Sequence, residues 1–167
     1  GNITYYGGAL ANTVESKLSN DVFVGGAGHM TINGGARETI TGGAGGLTFN
    51  SNGGGANFIS TAAGAFDTLN LSGPETISSR GNDLITTTGY LTGTVYGRSS
   101  INAGADDVSL TLSGRDNFKG AGHDVLTVTK GAFATVTMSG FSDVHDTGGI
   151  VRYTDVAGGD LATAILT

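Results

Sequence analysis

The sequence predicts an all-β fold, a parallel β-solenoid (β-roll or β-helix) with coils of roughly 18 residues. Three observations predict it. Glycine is spread through the whole chain, a short β-prone triplet alternates with a glycine-rich corner, and apolar residues recur at fixed steps. The 167 residues include 31 Gly and one Pro. Outside Ala9–Val24 no glycine-free stretch exceeds nine residues. Glycine inside a helix costs up to about 1 kcal/mol, so long helices are excluded almost everywhere. No apolar run approaches the ~18 residues of a membrane helix. The short runs and the absence of Trp also argue against a membrane barrel.

Taken in order, residues 1–20 lack the repeat and are expected to form an N-terminal lead-in strand or cap. From Asp21 the text reads VFV-GGAGH-MTIN-GGARE-TIT-GGAGG-LTFN, with apolar anchors at Val24, Ile32, Ile40, Phe49 and Phe58. Later series step by eighteen: Val108, Leu126 and Val144; Phe118 and Val136; Ile59, Ile77 and Val95. Two unequal halves, each a strand and a turn, would then close one coil. A strand of three to five residues cannot bury its face alone, and stacking successive coils completes it. Glycine and Asn supply the tight corners. Alternation places Val108, Leu110, Leu112, Leu126 and Val128 inward. Ser109, Thr111, Val125, Thr127 and Thr129 then face outward, with hydroxyl ladders expected for Ser109 over Thr127 and Thr111 over Thr129. The rhythm breaks between Gly89 and Ala103, which reads as a shortened corner or a protruding loop. The solenoid is assigned to residues 21–149. Residues 150–167 read as a last strand or an assembly segment. Strands at this spacing also occur in glycine-rich β-sandwiches, but the repeated GGAG corner favours the solenoid.

These residues resemble the glycine-rich nonapeptide repeats of secreted bacterial proteins, the RTX type, with pattern GGxGxDxUx where U is a large apolar residue. Gly120-Ala-Gly122-His-Asp124-Val-Leu126 carries the fullest match. Gly104-Ala-Asp106-Asp-Val108, Gly114-Arg-Asp116-Asn-Phe118 and Gly81-Asn-Asp83-Leu-Ile85 keep part of it, and Gly73-Pro-Glu75-Thr-Ile77 substitutes Glu. The resemblance implies Ca²⁺ held between stacked corners by carbonyls and Asp carboxylates. The N-terminal corners depart from it, with Met30 and Leu47 at the Asp position. Asp106 and Asp124 are eighteen apart, with Gly104 above Gly122. Two acids on one corner repel unless a cation or protons neutralise them. Gly104, Asp106, Gly122 and Asp124 are therefore the candidate calcium residues, with Asp83 and Asp116 secondary. The alternative is that each Asp makes an Asx turn with its own backbone.

Catalysis is not expected. HExxH and GxSxG are absent, and the three histidines, His29, His123 and His145, show no metal spacing. Asp143, His145 and Asp146 cluster without a placed nucleophile. Asp106 and Asp107 are neighbours, which on one strand would face opposite sides. Net charge is −6, with no basic stretch to displace counterions, so neither nucleic acid nor membrane insertion is expected. The expected function is that of an extracellular or cell-surface bacterial structural or adhesive protein, self-assembling through its solenoid ends into a fibre or matrix layer. One alternative is a carbohydrate-binding or polysaccharide-processing module using Asp106 or Asp107, with cell-surface polysaccharide as partner. Another is an ice-binding solenoid, suggested by Thr-x-Thr at Thr39–Thr41, Thr127–Thr129 and Thr135–Thr137. Tyr5, Tyr6, Tyr90, Tyr96 and Tyr153 are scattered along the chain as candidate sugar-stacking rings.

Overall fold

Each β-prone triplet becomes a strand, and each glycine corner turns the chain into the opposite sheet. The computed structural model describes residues 2–17, 20–53, 55–140, 142–156 and 163–166. Within them one sheet is built from β1 (Thr4–Tyr6), β3 (Val22–Val24), β5 (Thr39–Thr41), β7 (Asn57–Ser60), β9 (Glu75–Ser79), β11 (Leu91–Val95), β13 (Val108–Leu112), β15 (Asp124–Val128), β17 (Ser142–Asp146) and β19 (Thr163–Leu166). The facing sheet holds β2 (Asn12–Glu15), β4 (Met30–Gly34), β6 (Leu47–Ser51), β8 (Thr68–Leu71), β10 (Leu84–Thr87), β12 (Ser100–Ala103), β14 (Arg115–Gly120), β16 (Phe133–Met138) and β18 (Ile150–Asp155). We call these the odd and even sheets. Every strand pair is parallel, so each coil contributes one strand to each sheet. This is a parallel β-solenoid.

Two facing columns run through the middle of the core. Phe23, Ile40, Ile59 and Ile77 stack in the odd sheet, followed by Gly93, Leu110, Leu126 and Val144. Ile32, Phe49, Leu69, Ile85, Ile101, Phe118 and Val136 stack in the even sheet. Apart from Gly93, these residues are buried. Each strand covers the apolar face of the next, so rungs too short to be stable singly form one continuous core.

Several sequence expectations shift here. Phe23, not Val24, is the inward anchor of β3, and Ile59 is inward while Phe58 is 58% exposed. An error of one residue moves a side chain to the other face of a pleated strand. Val108, Leu126 and Val144 do not form one file: Leu110 pairs with Leu126, which pairs with Val144. Ile77 likewise meets Gly93 rather than Val95. The coil that carries Leu110 onto Leu126 is shorter by two than the one that carries Leu126 onto Val144 (126 − 110 against 144 − 126). A fixed period of eighteen therefore slides the file by two. Two is even, so every inward and outward assignment from Val108 to Thr129 keeps its parity. The hydroxyl ladder becomes Thr111 over Thr127, with Ser109 opposite Val125.

The stretch from Gly89 to Ala103 is not a protruding loop. It contains β11 and β12 in register with both neighbours, on coils tighter than the expected eighteen (91 − 75 and 108 − 91). Residues 4–15 form the first rungs of the two sheets, with Thr4 opposite Val22 and Asn12 opposite Met30. At the other end β18 and β19 extend the same sheets. The remainder of the predicted tail, 157–162 and 167, lies outside the described residues.

Candidate functional site: an inward ladder of carboxylates

An acid repeatedly stands two residues before a core anchor: Asp21 before Phe23, Glu38 before Ile40, Asp67 before Leu69, Glu75 before Ile77, Asp83 before Ile85, Asp116 before Phe118, Asp124 before Leu126. Strand alternation turns both members of each pair to the same face, so the acids point into the core. All seven are buried. Among the described residues no Lys, Arg or His forms an ion pair with any of them.

For Asp21, Asp67, Glu75, Asp83 and Asp116 the partner is the backbone of the preceding coil, whereas Glu38 Oε1 accepts the Gly35 amide of its own coil at 3.0 Å. Asp21 Oδ1 accepts the Ile3 amide at 3.0 Å, and Asp67 Oδ1 accepts the Leu47 amide at 2.5 Å. Asp83 Oδ1 accepts the Asp67 amide at 3.3 Å, and Asp116 Oδ1 accepts the Ser99 amide at 3.1 Å. Glu75 Oε2 accepts the Asn57 amide at 3.1 Å. Asn57 plays the same part as a neutral residue, its Oδ1 accepting the Glu38 amide at 2.8 Å. In each pair the acceptor lies on the next coil at the equivalent position, so the side chain ties one rung to the rung before it. Hydroxyls add to this: Ser16 donates to Asp21 at 2.9 Å, Ser51 to Glu75 at 2.7 Å, and both Thr61 and Ser79 to Asp83.

Burial still penalises the charged form. It raises the Asp67 carboxyl to about 6, with the neighbouring Asp83 charge pushing the same way and the Leu47 amide opposing. Asp116 is raised to about 6 by burial, against the Ser99 and Gly114 amides. Asp124 is raised to about 6 by burial, against the Val108 amide. Burial also raises Glu38. Beyond that approach of the Val108 amide, neither oxygen of Asp124 makes a hydrogen bond among the described residues, nor does the hydroxyl of Ser142 beside it in the ladder.

Of the residues expected to hold calcium, Gly104, Asp106 and Gly122 share one corner of adjacent coils, and Asp124 does not face it. Val108, not Asp106, lies opposite Asp124, one position before the Ser109–Val125 pair. Asp106 is exposed in the corner, where its backbone packs on Gly122, and Gly104 bonds through its carbonyl to the Ala121 amide at 3.2 Å. Asp124 is sealed inside. The pairing of Asp106 with Asp124 inferred from a spacing of eighteen fails because this coil falls short of it by two (124 − 108). Asp83 and Asp116 also point inward, into the bonds described above. Among the described residues no group of three His, Cys, Asp or Glu converges on a point.

The other candidates disperse as well. His29 sits on an exposed corner beside the Gly45 carbonyl and the Thr48 hydroxyl. Asp146 accepts the Gly148 and Gly149 amides at 3.0 and 2.6 Å, a local turn role. Asp106 and Asp107 share an exposed corner, where Asp107 accepts the His123 amide at 3.2 Å. Tyr90 and Tyr96 flank opposite ends of β11. The Thr-x-Thr triplets divide between the sheets, Thr39–Thr41 and Thr127 on the odd and Thr135–Thr137 on the even.

The outer face of the even sheet carries a feature that the sequence reading missed. Thr13, Thr31, Thr48 and Thr68 stack in register. Beside them Asn70 donates to Asn50, Asn50 to Asn33, and Asn33 to Glu15, at 2.7, 2.7 and 2.5 Å. The Thr-x-Asn spelling of β4, β6 and β8 was the available signal.

Compared with protein-family models, curated proteins and solved structures, the chain finds no match.

Proposed function

We propose that this chain is a structural or adhesive protein of the bacterial cell exterior whose solenoid stacks end to end into fibres or a matrix layer. The observation that carries this reading is the stack itself, in which each described coil is completed by the next in one parallel register. Among the described residues, β1 and β2 at one end, and β18 and β19 at the other, have a strand neighbour on one side only. Tyr5, Val14 and Val151, all in those rungs, are the apolar residues that pack on the core while only half covered. The Asn12 amide bonds to the His29 carbonyl just before β4 and the Ser16 amide, just after β2, to Asn33 of β4, so the Thr13 and Glu15 amides point away from β4. β1 and β2 contain no Lys, Arg or Pro, the usual blockers of edge pairing. Continuing the internal register would set Tyr153 of one copy on Val14 of the next. Such a contact is heterologous and does not close, so it propagates. The extracellular setting rests on the resemblance of the glycine corners to secreted repeats.

Electron microscopy and light scattering at micromolar concentration test this, with calcium and with chelator. Fibres that lengthen with concentration are expected. Thr13→Pro removes one edge donor while leaving the bonds to β4 in place, and is expected to stop growth without unfolding the monomer. A strict monomer in both conditions, or undiminished fibres from Thr13→Pro, overturns the proposal.

A further inference from the structure

The eight cationic side chains of this acidic protein are not scattered evenly. Three of them, Arg80, Arg98 and Arg115, line one open groove of about 450 Å³ along the corner that leads from the odd sheet into the even one. Its floor is glycine backbone: Gly81, Gly97 and Gly114 lie on successive coils, and a Cβ on Gly97 or Gly114 would run into the carbonyl of the glycine one coil before. The glycines thus let the coils close up and leave a floor without side chains.

Arg98 and Arg115 occupy equivalent positions on adjacent coils, two residues before the Ser100–Asn117 pair, and the Arg115 amide bonds to the Gly97 carbonyl at 2.9 Å. Both are exposed. Like charges directly opposite on neighbouring parallel strands repel. Among the described residues no carboxylate pairs with either, although the chain holds 14 Asp and Glu. Arg80 takes a different arrangement, its guanidinium lying over the Tyr96 ring at 5.8 Å on the next coil. The result is two cations one rung apart, about 4.8 Å between strands, with Arg80 beside them opposite Tyr96 and, among the described residues, no internal counterion.

We propose that this groove binds an acidic polysaccharide, whose carboxylates spaced along a linear chain supply the counterions for Arg98, Arg115 and Arg80. An extended, shallow, side-chain-free floor suits a ribbon-like chain rather than a compact ligand. Two features disfavour nucleic acid. The remainder of the protein is acidic and repels a backbone of high charge density. The groove holds a single aromatic ring, Tyr96, with the Arg80 guanidinium over it, whereas a track for successive bases needs several stacking platforms.

The test measures retention of the purified chain by polygalacturonate in affinity electrophoresis, against neutral dextran and single-stranded DNA, at low and high salt. Binding to polygalacturonate that weakens with salt is expected, with none to dextran. The double substitution Arg98→Gln and Arg115→Gln is expected to weaken it about tenfold or more. Its melting temperature should be unchanged or higher, because it removes a repulsion. Lys17→Gln with Lys119→Gln makes the same charge change outside the groove and is expected to alter binding less than about twofold. Three outcomes overturn the proposal: no preference for polygalacturonate over dextran, equal losses in the two double variants, or tighter binding to DNA. A loss of self-association in the Arg98→Gln, Arg115→Gln protein without any glycan binding would assign the groove to a second copy and overturn it too. Fibre formation is read separately by microscopy, so the assembly proposal stands or falls on its own.

Discussion

The inward carboxylates make a definite statement about acidity. Asp67, Asp116 and Asp124 have folded-state values of about 6 against an ordinary 3.8. A raised acid binds more protons folded than unfolded between those values. Its stabilising contribution is complete below about pH 4 and is lost as pH rises through about 6. One group shifted by about two units is worth about 3 kcal/mol between the extremes. Moving from about pH 7.5 to about 4.5 recovers roughly two-thirds of that. Three groups together set a ceiling of about 6 kcal/mol, and at roughly 2–4 °C per kcal/mol for a domain of this size the melting temperature should climb by up to roughly 12–24 °C. Glu38, also raised, acts with the same sign. The assay is thermal unfolding followed by far-UV circular dichroism at pH steps across that window. Relief of the net charge of −6 would also favour acid, so Asp124→Asn is needed to isolate the core. It should flatten the pH dependence by about a third, since one of three comparable titrations is gone. A melting temperature that is level or falls toward acid, or an Asp124→Asn slope equal to the parent's, would refute the reasoning.

The register sets three further outcomes. Leu126→Ala should cost about 2–5 kcal/mol in chemical denaturation. Its effect should couple to Leu110→Ala and to Val144→Ala by at least about 0.5 kcal/mol each, while Val108→Ala, which stands opposite Asp124, adds independently. Gly97→Ala, whose Cβ meets the Gly81 carbonyl, should cost roughly 2–4 kcal/mol. Gly64→Ala has open space around it and only the left-handed backbone (φ +75°) to strain, and should cost about 1–2 kcal/mol. Equal losses at the two sites would contradict the glycine stack. Calcium at millimolar concentration should leave the melting temperature where chelator leaves it, because Asp124 is buried while Asp106 is exposed in the corner. A calcium-dependent rise would contradict that placement.

The acid-x-apolar pairs show what was legible and what was misread. The rule that placed Leu126 inward places Asp124 inward as well, yet a family pattern assigned it to an outer metal corner. Asp106 escapes the same rule only because β13 starts at Val108, so its residue lies in the turn, where alternation no longer applies. Glycine in the Gly97 position was readable as a corner, but its role as the seat of the next coil required the neighbouring carbonyl. Arg98 and Arg115 are seventeen apart in a region where the apparent rhythm broke, so their juxtaposition was invisible.

By itself the sequence determined the fold class and the side of the wall on which most strand residues lie. Both follow from local physics: glycine forbids long helices, and a pleated strand alternates with a period of two. The tertiary structure alone decided which residue rests on which. The coil that sets Leu84 on Thr68 is shorter by four than the one that sets Thr68 on Thr48 (84 − 68 against 68 − 48). Each corner's length is set by how its backbone packs on the coil beneath, a contact between distant segments that no local pattern encodes.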